Sequence, residues 1–146
     1  MSPQMTANPI SMNRNLLFPA FAAALLAMPS AALAKAPIEG RWVNPKGSVT
    51  VRVAPCGDGY CATVIDASAK AKATAKKGGT ANLIGTRVMS DFRPRGDGTY
   101  RGQAFDPKRN IRAGATIRMI GDSTLLVKGC LISGIICKEQ RWRKIG

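Results

Sequence analysis

The stretch Ile111-Arg112-Ala113-Gly114-Ala115-Thr116-Ile117-Arg118-Met119 decides the fold. Ile111, Ala113, Ala115, Ile117 and Met119 alternate with Arg112, Gly114, Thr116 and Arg118, which gives a strand one apolar face for a core and one polar face for water. The same period of two recurs in both directions. Upstream, Asp106-Pro107 with Asn110 marks a turn, Thr99 to Phe105 a strand, and Gly96-Asp97-Gly98 a hairpin; Leu83 to Met89 resumes the strand pattern less cleanly. Earlier still, Glu39 to Asn44 stops at Pro45-Lys46-Gly47, and Ser48 to Ala54 sets Val49, Val51 and Val53 against Thr50 and Arg52. Cys56-Gly57-Asp58-Gly59 then turns the chain into Tyr60 to Asp66, because Asp-Gly supplies the backbone angles of a tight hairpin. Downstream, Gly121-Asp122 leads into Ser123 to Cys130, and Ser133-Gly134 into Ile135 to Lys144.

About eight short antiparallel strands result. The expected fold is all-β, a small up-and-down barrel whose closure removes exposed strand edges; a two-sheet sandwich is the alternative. One segment breaks the pattern. Ala67 to Thr80 is alanine, lysine, glycine and threonine with no large apolar residue. With nothing to bury, residues 67–80 read as a basic flexible loop rather than a helix.

The N-terminus reads as an export signal. Leu16 to Ala27 is an apolar run preceded by the single charge of Arg14, and Met28-Pro29-Ser30 leads to the small-x-small triplet Ala32-Leu33-Ala34. The run is shorter than the roughly 20 residues of a membrane-spanning helix, and no stop-transfer pattern follows. Residues 1–34 are therefore expected to be a cleaved signal peptide, and 35–146 a single exported domain of the bacterial periplasm or exterior. Met12-Asn13-Arg14 would make a more ordinary start than Met1. The whole chain carries 22 Lys and Arg against 8 Asp and Glu, and only Arg14 lies before the cut. The mature part then has 21 cations against 8 anions, a net +13.

Cys56, Cys61, Cys130 and Cys137 have the wrong spacing for a C-x-x-C redox motif, and there is no histidine to complete a mixed zinc site. In an oxidising compartment four cysteines imply two disulfides. Of three pairings, Cys56–Cys61 and Cys130–Cys137 are favoured, since each pair flanks a glycine-containing turn. Loops this short are each stabilised by about 2 kcal/mol through chain entropy.

Gly40-Arg41-Trp42 on the first strand, the Cys56…Cys61 hairpin, Gly85, Gly102-x-x-Phe105-Asp106-Pro107, and Gly129-Cys130 through Cys137-x-x-Gln140-x-Trp142 follow one another in order. Together they resemble the secreted bacterial family known as domain of unknown function 2147, over nearly the whole mature chain. The resemblance implies a lipocalin-like barrel in the periplasm with no established activity. In lipocalin-like barrels the glycine of G-x-W gives the bend, and the indole plugs the closed end beneath a basic side chain of the last strand. Trp42, Trp142 and Lys144 are the residues here that this likeness marks for barrel closure. The alanine-lysine stretch departs from the Asp/Asn/Pro-containing loop of other members.

The catalytic inventory is thin. Without histidine there is no usual proton shuttle at neutral pH, and paired cysteines leave no thiolate nucleophile. Asp58, Asp97, Asp106 and Asp122 sit beside Gly or Pro, where aspartate stabilises turns through its own backbone. Arg95-Gly96-Asp97 is explained by its turn rather than as an adhesion tripeptide. The reading is a non-enzyme with no cofactor and no metal. The six mature aromatics are too few for a stacking platform, and export disfavours nucleic acid as a partner. Two classes remain: a carrier of a small apolar ligand in the barrel mouth, since eight-stranded barrels are either filled by their own side chains or hold one small ligand, and a cationic envelope protein that binds anionic lipid or polymer. For the latter, Lys70, Lys72, Lys76 and Lys77 are the densest candidates.

Overall fold

The computed structural model describes residues 34–131 and 136–146, of which Ala34–Gly146 form one compact unit. The export-signal reading, apart from Ala34, and the Ser133-Gly134 turn lie outside the described residues. Eight strands close into one antiparallel barrel in sequence order: β1 (Gly40–Val43), β2 (Val49–Cys56), β3 (Gly59–Ala67), β4 (Arg87–Pro94), β5 (Thr99–Asp106), β6 (Ile111–Ile120), β7 (Thr124–Leu131) and β8 (Ile136–Lys144). The short β1 closes the ring, pairing Trp42 with Val51 of β2 on one side and with Lys144 of β8 on the other.

Alternation places one side-chain set inside. Trp42, Val51, Val64, Phe92, Ile117 and Leu125 are essentially inaccessible and belong to one continuous core. Arg112, Thr116 and Arg118 of β6 face water, as the period of two requires. Gly40, at φ +131°, makes a bend that an L side chain rarely adopts, and a Cβ there would sit 2.6 Å from the Gly146 carbonyl oxygen. That carbonyl accepts from Arg41 N at 2.6 Å, and Ile145 N donates to the Arg41 carbonyl, so the C-terminus is fastened to β1.

The connections alternate between two ends. Turns 57–58, 95–98 and 121–123 lie at one end, the tryptophan end, beyond Trp42 and Trp142. Connections 44–48, 68–86 and 107–110 lie at the opposite, helix end. The disulfides Cys56–Cys61 and Cys130–Cys137 are both formed and brace the β2–β3 and β7–β8 hairpins.

Two expectations need correction. Residues 67–80 are not a basic flexible loop: Ala69–Lys77 is a helix, α1. Alanine and lysine are strong helix formers, Ser68 caps the N-terminus by accepting from Ala71 N at 3.1 Å, and Gly78 ends it. Something can also be buried, since Ala71 and Ala75, one turn apart, join the barrel core. Their small size lets the backbone approach the barrel rim. The fourth strand begins later than Leu83. Leu83 is buried but sits in a turn closed by Thr86 N to the Leu83 carbonyl at 3.0 Å, with Gly85 at φ +84°. β4 itself contains a register shift between Ser90 and Arg93, where Asp91 takes φ 56° so that Phe92 still points inward.

Candidate functional site

The inner wall formed by β5 to β8 changes character along the barrel. Nearest the tryptophan end, Met119, Leu125 and Trp142 stand side by side, and Leu125 is fully buried. The next level is Tyr100, Ile117, Val127 and Gln140, and Gln140 Oε1 accepts from the Trp142 indole at 3.1 Å. Above it lie Gly102, Ala115, Gly129 and Lys138, and then Ala104 beside Ala113. The small residues do not all leave space. A Cβ on Gly102 would come within 2.8 Å of the Phe92 ring, so Phe92 fills that side, whereas among the described residues a Cβ on Gly129 would meet nothing within 4 Å. Gly129 faces inward, between buried Ala115 and exposed Lys138. Ile111 and Ala113 are half-buried, and Ile136, on the inward face of β8, is 57% exposed. The barrel mouth at the helix end is thus lined, beside β6, β7 and β8, by half-buried Ile111 and Ala113 and by exposed Ile136 and Lys138, with Gln140 one level deeper.

The residues singled out in the sequence occupy three places. Trp42 is at the centre of the core; its indole donates to the Ile38 carbonyl at 2.9 Å, and Lys144 Nζ lies 5.4 Å from its ring. Trp142 is 8% exposed on the same inner surface. The pair thus belongs to the filled part of the barrel, away from the mouth. Lys70, Lys72, Lys76 and Lys77 are all exposed on α1, at the helix end. The fold brings Lys108 and Arg109 beside them: a Cβ on Gly78 would collide with the Lys108 carbonyl, and Thr80 Oγ1 donates to the Pro107 carbonyl at 2.9 Å. At the tryptophan end, an open cleft of about 500 Å³ is lined by Lys35, Arg41, Arg52 and Lys144, with Glu39 and the chain terminus among them.

Two of the turn aspartates bond their own turns: Asp97, and Asp106, whose carboxylate accepts from Lys108 N at 3.0 Å. The Asp97 carboxylate accepts from both the hydroxyl and the backbone N–H of Thr99, and these bonds hold its pKa below the ordinary value. Burial raises the Tyr100 phenol. Among the described residues no group of three His, Cys, Asp or Glu could hold a metal ion, and no helix is long and apolar enough to cross a membrane.

Gly129, Ala113, Lys138 and Gln140 were not singled out as a site from the sequence. A glycine in a strand gives no apolar signal, and only the barrel register shows that it faces inward with nothing in front of it.

Comparison with known proteins agrees with this architecture. The profile of a family described as an uncharacterised protein conserved in bacteria (DUF2147) matches residues 40–144. Among solved structures, a Helicobacter pylori protein described as belonging to the lipocalin family superposes with a TM-score of 0.58 at 16% identity, over 74% of this chain and 82% of its own. A search of the curated proteins finds no match.

Proposed function

Because the chain belongs to the uncharacterised bacterial family DUF2147 and folds as a lipocalin-like barrel, we propose that it binds a small apolar molecule in the barrel mouth at the helix end. The observation that carries this reading is that, among the described residues, nothing lies in front of inward-facing Gly129, above the packed level of Ile117 and Leu125. Half-exposed Ala113 and Ile111 and exposed Ile136 give that space an apolar lining. The packing of Trp42, Phe92, Ile117 and Leu125 below it limits the occupant to something small and shallowly held. We place the protein outside the cytoplasm, where its two disulfides persist. We also read its action as binding rather than catalysis, since the sequence has no histidine and the four thiols are paired.

The test is titration with the neutral apolar dye N-phenyl-1-naphthylamine, together with native mass spectrometry of protein purified from its own host. Gly129→Leu fills the space and should weaken dye binding at least tenfold. Gly114→Leu is the matched control, because Gly114 also has nothing within 4 Å but faces outward on β6; it should bind as the parent does. Equal dye binding by both variants, with no bound molecule in the host-purified protein, would overturn the reading.

A further inference from the structure

The turns of this barrel divide by charge. Each turn at the tryptophan end carries one aspartate (Asp58, Asp97 or Asp122), and the turn residues themselves include one cation, Arg95. The described connections at the helix end carry no carboxylate; they hold the four α1 lysines with Lys46, Lys108 and Arg109. Arg109 pairs with Asp106 at the end of β5 at 2.9 Å, and the other described ion pair, Arg93–Asp58 at 3.6 Å, lies at the opposite end. Neither takes up a lysine of α1.

The lysines are also arranged for a flat partner. Ala71 and Ala75 face the barrel. At 100° per residue, Ala73 then lies at the outer crest, with Lys70 and Lys77 down one flank and Lys72 and Lys76 down the other. Two large apolar side chains at the same end are exposed, Ile84 at 44% and Ile136 at 57%. At the tryptophan end Ile120 is exposed next to the Asp122 turn, and Ile145 beside Arg41 and the cleft that Glu39 shares with the cations. The helix end joins its exposed aliphatic groups to a cluster of cations on one helix and one neighbouring turn, which outnumber Asp66 and Asp106 at the adjoining strand ends. A hydrophilic polyanion would satisfy the charges and leave the isoleucines in water; an anionic bilayer satisfies both.

We propose that the helix end docks on an anionic lipid surface, with α1 lying along the headgroups and Ala73 turned toward them. Docking rests on charge and exposure, independently of ligand binding, and it would turn the barrel mouth toward the bilayer.

The test uses the disulfide-intact protein and vesicles of phosphatidylglycerol in phosphatidylcholine, against phosphatidylcholine alone. Binding should require the anionic lipid and fade as salt rises past the physiological range. A lysine held near an anionic surface is worth about fivefold in binding, so K70Q/K72Q/K76Q/K77Q should weaken it about a hundredfold or more. R95Q/R101Q/R118Q/R141Q removes the same charge from exposed positions away from α1 and should cost less than about tenfold. Ala73→Trp supplies a second readout that leaves every lysine in place: its emission should shift to the blue on anionic vesicles. Equal losses in the two quadruple variants would overturn the docking face. Binding to soluble polyphosphate without binding to vesicles would overturn the lipid in favour of a polymer.

Discussion

Trp42 is the largest fully buried side chain among the described residues. It is fully buried, its only polar atom is satisfied by Ile38, and Lys144 covers its ring. Trp42→Ala removes that volume from a core with no way to collapse around it, and should destabilise the fold by about 3–5 kcal/mol in denaturant unfolding. Lys144→Met keeps the aliphatic stem and loses the cation–π contact, which is worth about 0.5–1 kcal/mol at a site partly open to water. A much larger loss for Lys144→Met would mean that its charge has a further partner. Asp97 makes a pH-dependent contribution. Its folded pKa lies below the unfolded one, so its stabilisation is present at neutral pH, above the unfolded value, and is lost as pH falls through the folded value. Asp97→Asn should therefore flatten the acid limb of stability against pH, and an unchanged limb would show that the two Thr99 bonds do not persist in solution. G-x-W and the aspartate turns were legible in the sequence because each is a local pattern. Gly129 was not, because its significance is an absence of neighbours that only the closed barrel creates.

α1 shows how a helix escapes notice when its buried face is made of alanine. Ala71 and Ala75 supply the whole apolar face, and two methyl groups give no periodic signal against a background of alanine. The cap carries more information: Ser68→Ala removes the bond to Ala71 N and should cost about 1 kcal/mol. The loss should be seen first as faster amide exchange in α1, with the strands protected as before. Ala75→Leu is the complementary change. Ala75 is 1% exposed, so a larger side chain has to lift the helix from the rim, and global stability should fall by about 1–3 kcal/mol. If Ala75→Leu leaves stability unchanged, the helix is not seated as described. β6 was legible end to end, since one face is uniformly apolar and the other carries arginine. β4 was misplaced because buried Leu83 looks like a strand residue, although Gly85 and Thr86 close a turn around it.

Closure of the sheet brings these parts to their roles. An up-and-down topology sends alternate turns to opposite ends, so aspartates spaced along the sequence at 58, 97 and 122 come together at one set of tips and the α1 lysines lie at the other. At the lysine end the inner face of β6 to β8 beside Gly129 carries partly exposed side chains and, among the described residues, no neighbour in front of Gly129, while the tryptophan end is packed. The two hairpin disulfides lie at opposite ends, Cys56–Cys61 at the tryptophan end and Cys130–Cys137 near the mouth. Reducing both should cost about 4 kcal/mol in all, and loss of the Cys130–Cys137 bridge alone should loosen the mouth wall without disturbing Trp42 fluorescence. The most direct measurement is a ¹⁵N–¹H correlation titration of the oxidised protein with N-phenyl-1-naphthylamine. Saturable shifts centred on the amides of Ala113, Gly129, Lys138 and Gln140, with Arg41 and Arg52 unmoved, are the expected result. No saturable shifts, or shifts centred on the cleft around Arg41 and Arg52, would contradict a ligand site in the barrel mouth.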